Sequence, residues 1–253
     1  MNILLTVPVI ASSRVGTVDP NDIKTISDYL GLPELDAFGH WSLTKDLVDS
    51  VNNRKLIPTA ATTYSLVEKL SMTGINQATR KGFNTELTNV TSGGFTVCVV
   101  AKQSGITSGF ATLAGNQQEL DGTASLLVYP NQVSGYATGR GFGSAPNAQL
   151  DTTDWFFAAA SYSNDSNVVR NMVVESGDYS FSSTFVGTGA LVNVPIANTF
   201  NSIALGTSQV NSTQTFGLDF AEFIVFDKTK TIEELKAIAF RSKQRMKQRN
   251  III

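Results

Sequence analysis

One cysteine and one histidine stand in a chain of 253 residues, and charged side chains make up only 16 % of it. Cys98 has no partner in its own chain, so an intrachain disulfide framework and a cysteine-rich zinc site are both excluded. It lies in the apolar run Phe95-Thr-Val-Cys-Val-Val100, where a buried, inert thiol is expected. A lone His40 and the lack of a Gly-x-Ser-x-Gly elbow leave a serine or cysteine hydrolase little to build on. No segment approaches the roughly 20 apolar residues of a membrane-spanning helix. The start, Met1 to Ser13, lacks a basic n-region and is interrupted by Pro8, so it reads as an extended arm and not as a cleaved leader. A soluble protein made in a cytoplasm is expected. Formal net charge is only −2, and the basic residues gather at one end, which gives no electrostatic support for a specific nucleic-acid partner.

What the chain does contain is Gly, Ser, Thr, Asn and Gln in quantity, the composition of short strands joined by turns. Its length suffices to bury roughly 70–75 % of the surface an unfolded form would expose, so one large domain needs no covalent staple. Three regions are expected: an N-terminal arm over 1–37, a β-sandwich over 38–240, and a basic helix end and tail over 241–253. Within the arm, Asp19-Pro20, apolar Ile23, Ile26 and Leu30, and then Gly31 have the caps and spacing of a short helix.

Strands are expected at Gly94 to Lys102, Gly109 to Leu113, Ala124 to Tyr129, Trp155 to Tyr162, Val168 to Glu175, Ser202 to Leu205 and Gly217 to Phe226. Turns are expected at Pro130-Asn131, Ser163 to Ser166 and Ser176 to Asp178. Phe220 to Phe226 is apolar on both faces apart from Glu222, the pattern of a central, doubly covered strand. Thr231-Ile-Glu-Glu234 is a capping box, and Ile232, Leu235, Ile238 and Ala239 form a stripe that should dock on the sandwich. The continuation to Arg249 carries five basic residues, readable as a solvated helix end or as a docking face for an acidic partner, a nucleic acid or an anionic membrane surface. The terminal Ile251, Ile252 and Ile253 suit burial in a subunit contact.

Two segments resemble the concanavalin A-like lectin/glucanase superfamily, in particular laminin-G-like jelly-roll domains. They are His40-Trp-Ser-Leu-Thr-Lys-Asp-Leu-Val-Asp-Ser50 with Leu56 and Tyr64, and Phe216 to Asp227 followed by Thr231 to Leu235. Phe95 to Lys102, Trp155 to Tyr162 and Ile203-Ala-Leu-Gly206 are similar to the strands between. The resemblance spans about Phe38 to Phe240. It implies an all-β antiparallel jelly-roll sandwich of a kind found in extracellular proteins, glycan-binding modules and tailed-phage virion proteins.

Retaining glycanases of that superfamily carry Glu-x-Asp-x-x-Glu, because two carboxylates about 5–5.5 Å apart must serve as nucleophile and acid/base. The motif is absent, and Glu119-Leu-Asp121 is only a partial approach. No catalytic residues are assigned and no enzyme is expected. Calcium needs only oxygen ligands, and Asp151, Asp154, Asp165 and Asp178 sit in expected loops, where ordinary turn formation is the competing account. Between Tyr129 and Asn147 a glycine-rich loop carries Tyr136, Arg140 and Phe142. These can present an aromatic platform to a sugar, with Asn131, Gln132 and Asn147 as hydrogen-bonding neighbours, or belong to a plain exposed hairpin loop.

The expected function is a structural or adhesion component of a bacteriophage virion, at the particle surface or tail. It would be homo-oligomeric, joined to other virion proteins, and able to bind a surface glycan. The alternative is a free-standing carbohydrate-binding module, and a glycan hydrolase ranks last. No cofactor beyond calcium is implied.

Overall fold

The computed structural model describes residues 32–87, 94–116, 124–137, 146–163, 167–188, 202–206, 210–212 and 214–253. The short helix expected between Asp19 and Leu30 lies outside them, as do Glu119 and Asp121. The strands are β1 (Gly39–Trp41), β2 (Ile57–Pro58), β3 (Tyr64–Leu66), β4 (Leu70–Ile75), β5 (Gly82–Asn84), β6 (Phe95–Ser104), β7 (Phe110–Gly115), β8 (Ala124–Val128), β9 (Gln132–Ala137), β10 (Asn147–Gln149), β11 (Phe156–Tyr162), β12 (Asn167–Ser176), β13 (Tyr179–Thr188), β14 (Ala204–Gly206), β15 (Val210–Asn211) and β16 (Phe216–Phe226), followed by helix α1 (Ile232–Lys247).

Every pairing is antiparallel, and the strands form two sheets. One runs β13-β12-β11-β6-β16-β4-β3 with β1 beside β16, the other β10-β9-β8-β7-β14-β5-β2 with β15 beside β7. The first is the middle layer of three. Along β6, Val97, Val99 and Ala101 point into the core shared with the second, outer sheet, while Cys98 and Val100 point toward α1. Strand β11 divides likewise, Phe156, Ala158 and Ala160 on one side and Phe157 and Ala159 on the other. A strand buried on both faces reads as an unbroken apolar run, which is why these segments stand out in the sequence. Burial pushes the Cys98 thiol far above its usual range, as expected of an inert cysteine.

Strand β16 has a β-bulge between Phe220 and Glu222. Before it Phe216, Leu218 and Phe220 face the sandwich core, and after it Phe223 and Val225 do. The extra residue therefore shifts the alternation by one, leaving Asp219 on the helix side of the sheet and delivering Glu222 to the helix. Trp41 on β1 is fully buried, stacked on Phe223 at 5.4 Å, with its indole Nε1 donating to the Arg54 carbonyl at 3.2 Å. Gly39 has to be glycine here, since a Cβ would come within 2.3 Å of the Trp41 ring.

Helix α1 begins with the expected reciprocal cap between Thr231 and Glu234 and buries Leu235, Ile238, Ala239, Ser242 and Met246. Such a cap contributes about 1 kcal/mol. Asn250, at φ 55°, turns the chain back, and the Ile251 amide donates to the Met246 carbonyl at 3.0 Å. Ile253 is thereby buried to 1 % exposure against the same cluster as Cys98 and Phe157, while Ile252 stays 81 % exposed. The tail expected to meet another subunit is thus covered in good part by its own chain.

Candidate functional site

Tyr136 stands on strand β9 opposite Ser125, not in a loop. Val133 and Gly135 face the core, so Gln132, Ser134 and Tyr136 lie on the opposite face of the outer sheet, where Ser134 is buried and Gln132 and Tyr136 are half-buried. Asn147 and Gln149 on β10 continue this face, and Gln149 Nε2 donates to Gln132 Oε1 at 2.6 Å. Asn131 lies in the β8–β9 turn, where its carbonyl accepts from the Leu150 amide at 3.0 Å. Burial raises the Tyr129 phenol above its usual value, with Tyr136 adding to the shift. Arg140 and Phe142 lie outside the described residues, so of the three expected platform residues only Tyr136 is placed.

The described members of the expected loop carboxylates, Asp151, Asp154 and Asp178, do not form a group. Asp151 forms an Asx turn, accepting from the Thr153 amide at 2.8 Å and its hydroxyl at 2.6 Å, which lowers its carboxyl. Asp165 lies outside the described residues. Among those described, no group of three or more His, Cys, Asp or Glu side chains comes together.

A buried charge cluster, not legible from local sequence, fastens α1 to the middle sheet. Glu222 is 1 % exposed. Its Oε1 accepts from Arg245 Nε at 2.5 Å and bonds His40 Nε2 at 3.0 Å, and its Oε2 accepts from Arg245 Nη2 at 3.2 Å and from the Ser242 hydroxyl. The Glu34 amide donates to His40 Nδ1 at 3.0 Å, which assigns the proton to Nε2, facing Glu222. Glu34, itself buried, accepts from Arg241 Nε at 2.8 Å, Arg241 Nη2 at 2.6 Å and Arg245 Nη1 at 3.2 Å. Two carboxylates thus meet two guanidiniums. Burial alone would raise the Glu222 carboxyl, but the Arg245 charge and the His40 hydrogen bond hold it well below the usual carboxylate range. A carboxylate so fully paired and sealed has no free lone pair for a substrate. Its chemistry is structural. The basic helix end is accordingly not a simple solvated face: Arg241, Arg245 and Arg249 point into the protein.

The open site is a cleft of about 1020 Å³ on the helix side of the middle sheet, beyond the end of α1. Trp155, half-buried just before β11, is one wall. Thr44 and Lys45 after β1, the β3–β4 turn at Val67, Glu68 and Lys69, and the tail at Arg249, Asn250 and Ile251 form the others. Lys102 Nζ lies 5.2 Å and Lys69 Nζ 5.9 Å from the Trp155 ring centroid. Both reach Asp219, at 4.0 and 2.5 Å. Strand register extends this polar row sideways, with Lys102 opposite Asp219, Asp219 opposite Ser71 and Ser71 opposite Ser65.

Three residues around the cleft hold left-handed backbone: Leu43 (φ 51°), Glu68 (φ 61°) and Asn250 (φ 55°). Arg249 fixes two of the walls, donating to the Ser42 carbonyl at 3.0 Å, to the Ala221 carbonyl at 2.6 Å and to the Glu68 carbonyl. An aromatic wall among ammonium, carboxylate and hydroxyl groups can stack a sugar ring and bond its hydroxyls. In the sequence, Trp155 reads only as a strand residue. Nothing there shows that Lys69, Lys102 and Asp219, up to 150 positions apart, share one ring and one ion pair.

No protein-family model and no curated protein matches the chain. Solved structures do. A botulinum neurotoxin type C structure, from work on its need for two ganglioside molecules to enter cells, superimposes with a TM-score of 0.55 at 12 % identity, over 82 % of this chain and 51 % of that one. The binding domain of botulinum neurotoxin DC in complex with SialylT gives the same figures. The DC binding domain in complex with rat synaptotagmin II gives 0.54 at 12 % identity, again over 82 % and 51 %. The chain thus spans about half the length of these domains. The likeness establishes the architecture, an antiparallel β-sandwich of the kind found in those binding domains.

Proposed function

We propose that this chain is a non-enzymatic glycan-binding protein of the concanavalin A-like superfamily, serving as a structural or adhesion component of a tailed-phage virion. The observation that carries the glycan reading is the Trp155 cleft, which joins an aromatic wall to hydrogen-bonding groups on a rigid sheet. The sandwich's likeness to domains solved with a ganglioside dependence and a SialylT complex supports it. Against a hydrolase stands the sealed state of Glu222, together with the missing glycanase motif. A glycan array probed with and without calcium is the test. Parent protein is expected to bind a restricted set of glycans and Trp155→Ala to lose them, since one stacked ring contributes about 1–3 kcal/mol or more with its hydrogen bonds. A blank array in both conditions refutes the reading.

The virion role draws on the turn-rich, weakly charged composition and on the family resemblance. A free-standing carbohydrate-binding module is favoured by one specific observation, the burial of Ile253 within its own chain. Light scattering on the full chain separates the two. The virion reading expects a closed oligomer, and a monomer at all concentrations shifts the assignment to the module.

A further inference from the structure

The charges around the Trp155 cleft are unbalanced. Lys45, Lys69 and Arg249 line it against the single carboxylate of Glu68, although the whole chain is slightly negative at −2. Next to this lining, Lys69 and Lys102 share one carboxylate, Asp219, and Lys69 holds it at 2.5 Å while Lys102 stands at 4.0 Å. Lys102 is therefore only loosely neutralised, and its Nζ lies over the Trp155 ring, 5.2 Å from the centroid. Lys45 is exposed at the rim. Arg249 donates to three carbonyls and Met246 Sδ rather than to a carboxylate, and burial pushes its guanidinium below the usual value despite the nearby Glu222 and Glu68. A neutral saccharide would leave this positive charge unanswered. An anionic group would be drawn to it and, in a partly desolvated cleft, would hold it through charge-assisted hydrogen bonds.

We infer that the Trp155 cleft selects saccharides bearing an anionic group, a carboxylate or a sulfate, which is seated by Lys102 and Lys45 while the sugar ring stacks on Trp155. This rests on the glycan-binding reading above and narrows it. It excludes neutral glycans as preferred ligands and gives the positive rim of the cleft a purpose.

Calorimetric titration of the full chain tests it with four probes: a galacturonic acid tetramer, its methyl ester, a sulfated galactose tetramer and the neutral galactose tetramer. At least one anionic probe is expected to bind about tenfold or more tightly than the ester and the neutral tetramer, because a hydrogen bond to a charged group contributes about 1.5–3 kcal/mol. Lys45→Gln and Lys102→Gln should each erase about tenfold of that preference. Added salt should weaken the anionic probe selectively. Preference for the acid tetramer over the sulfated one, or the reverse, identifies the group. Equal binding of ester and acid overturns the charge inference and leaves glycan binding standing. Binding of none of the four overturns the charge inference, and a blank array removes the glycan reading with it.

Discussion

Replacing Glu222 by alanine should lower stability by about 3–5 kcal/mol, the usual cost of removing one partner from a buried ion pair. The physical reason is the orphaned charge. Arg245 would keep Glu34 at 3.2 Å and the Leu32 carbonyl at 2.8 Å but lose its nearest counter-ion, and His40 Nε2 and the Ser242 hydroxyl would lose their acceptor. Glu222→Gln should cost less, keeping the shape and part of the hydrogen bonding, and it exposes the pH dependence. The Glu222 carboxyl is held below its unfolded value of roughly 4.3. Its contribution is therefore complete above about pH 5 and is lost as pH falls toward the folded value. The parent should lose stability steeply below about pH 5, and Glu222→Gln should lose less over the same interval. Urea unfolding at several pH values measures both, and parallel curves for the two proteins would contradict the ionised pairing.

The second large effect concerns the C-terminus. A chain ending at Ala239 loses Arg241, Ser242 and Arg245, which satisfy Glu34 and Glu222, and also the buried Met246 and Ile253. Uncompensated Glu222 costs about 3–5 kcal/mol, and each lost apolar side chain about 1.5–3 kcal/mol. Together these rival the whole stability of a typical domain, about 5–15 kcal/mol. The shortened protein is expected to show no cooperative thermal transition, or to be recovered only as aggregate. Its recovery as a folded species with the parent's transition would show that the helix end and tail are dispensable to the sandwich. Assembly experiments accordingly need the full chain, because trimming this segment removes part of the layer that covers Val100, Phe157 and Ile224.

How much of this could be read from the residues differs by element. Strands buried on both faces, such as β6, β11 and β16, announce themselves as apolar runs, and the turn at Gly177 (φ 58°) shows as Ser-Gly-Asp. Strand β13, Tyr-Ser-Phe-Ser-Ser-Thr-Phe-Val-Gly-Thr, is half-exposed at a sheet edge and too rich in serine and threonine to stand out. Strand β9 hides behind Gly135, which reads as a loop residue but sits where a Cβ would meet Met172 Sδ at 3.2 Å. Glu222 is visible as the one charged residue in the apolar run Phe220 to Phe226. Its partners His40 and Arg245 come from 182 and 23 positions away, and the bulge that aims it leaves no local sign. The Trp155 cleft was hidden for the same reason, since strand register alone brings Lys102, Asp219 and Ser71 into one row.

The most direct measurement of the central claim follows Trp155 itself. The protein has two tryptophans, Trp41 sealed in the core and Trp155 in the cleft. In a Trp41→Phe variant all tryptophan emission reports on Trp155. Titration with a saccharide retained on the array is expected to shift or quench that emission with saturation at the affinity found by calorimetry. Saturable saccharide binding that leaves the Trp155 emission unchanged would place the ligand elsewhere and contradict the assignment of this cleft.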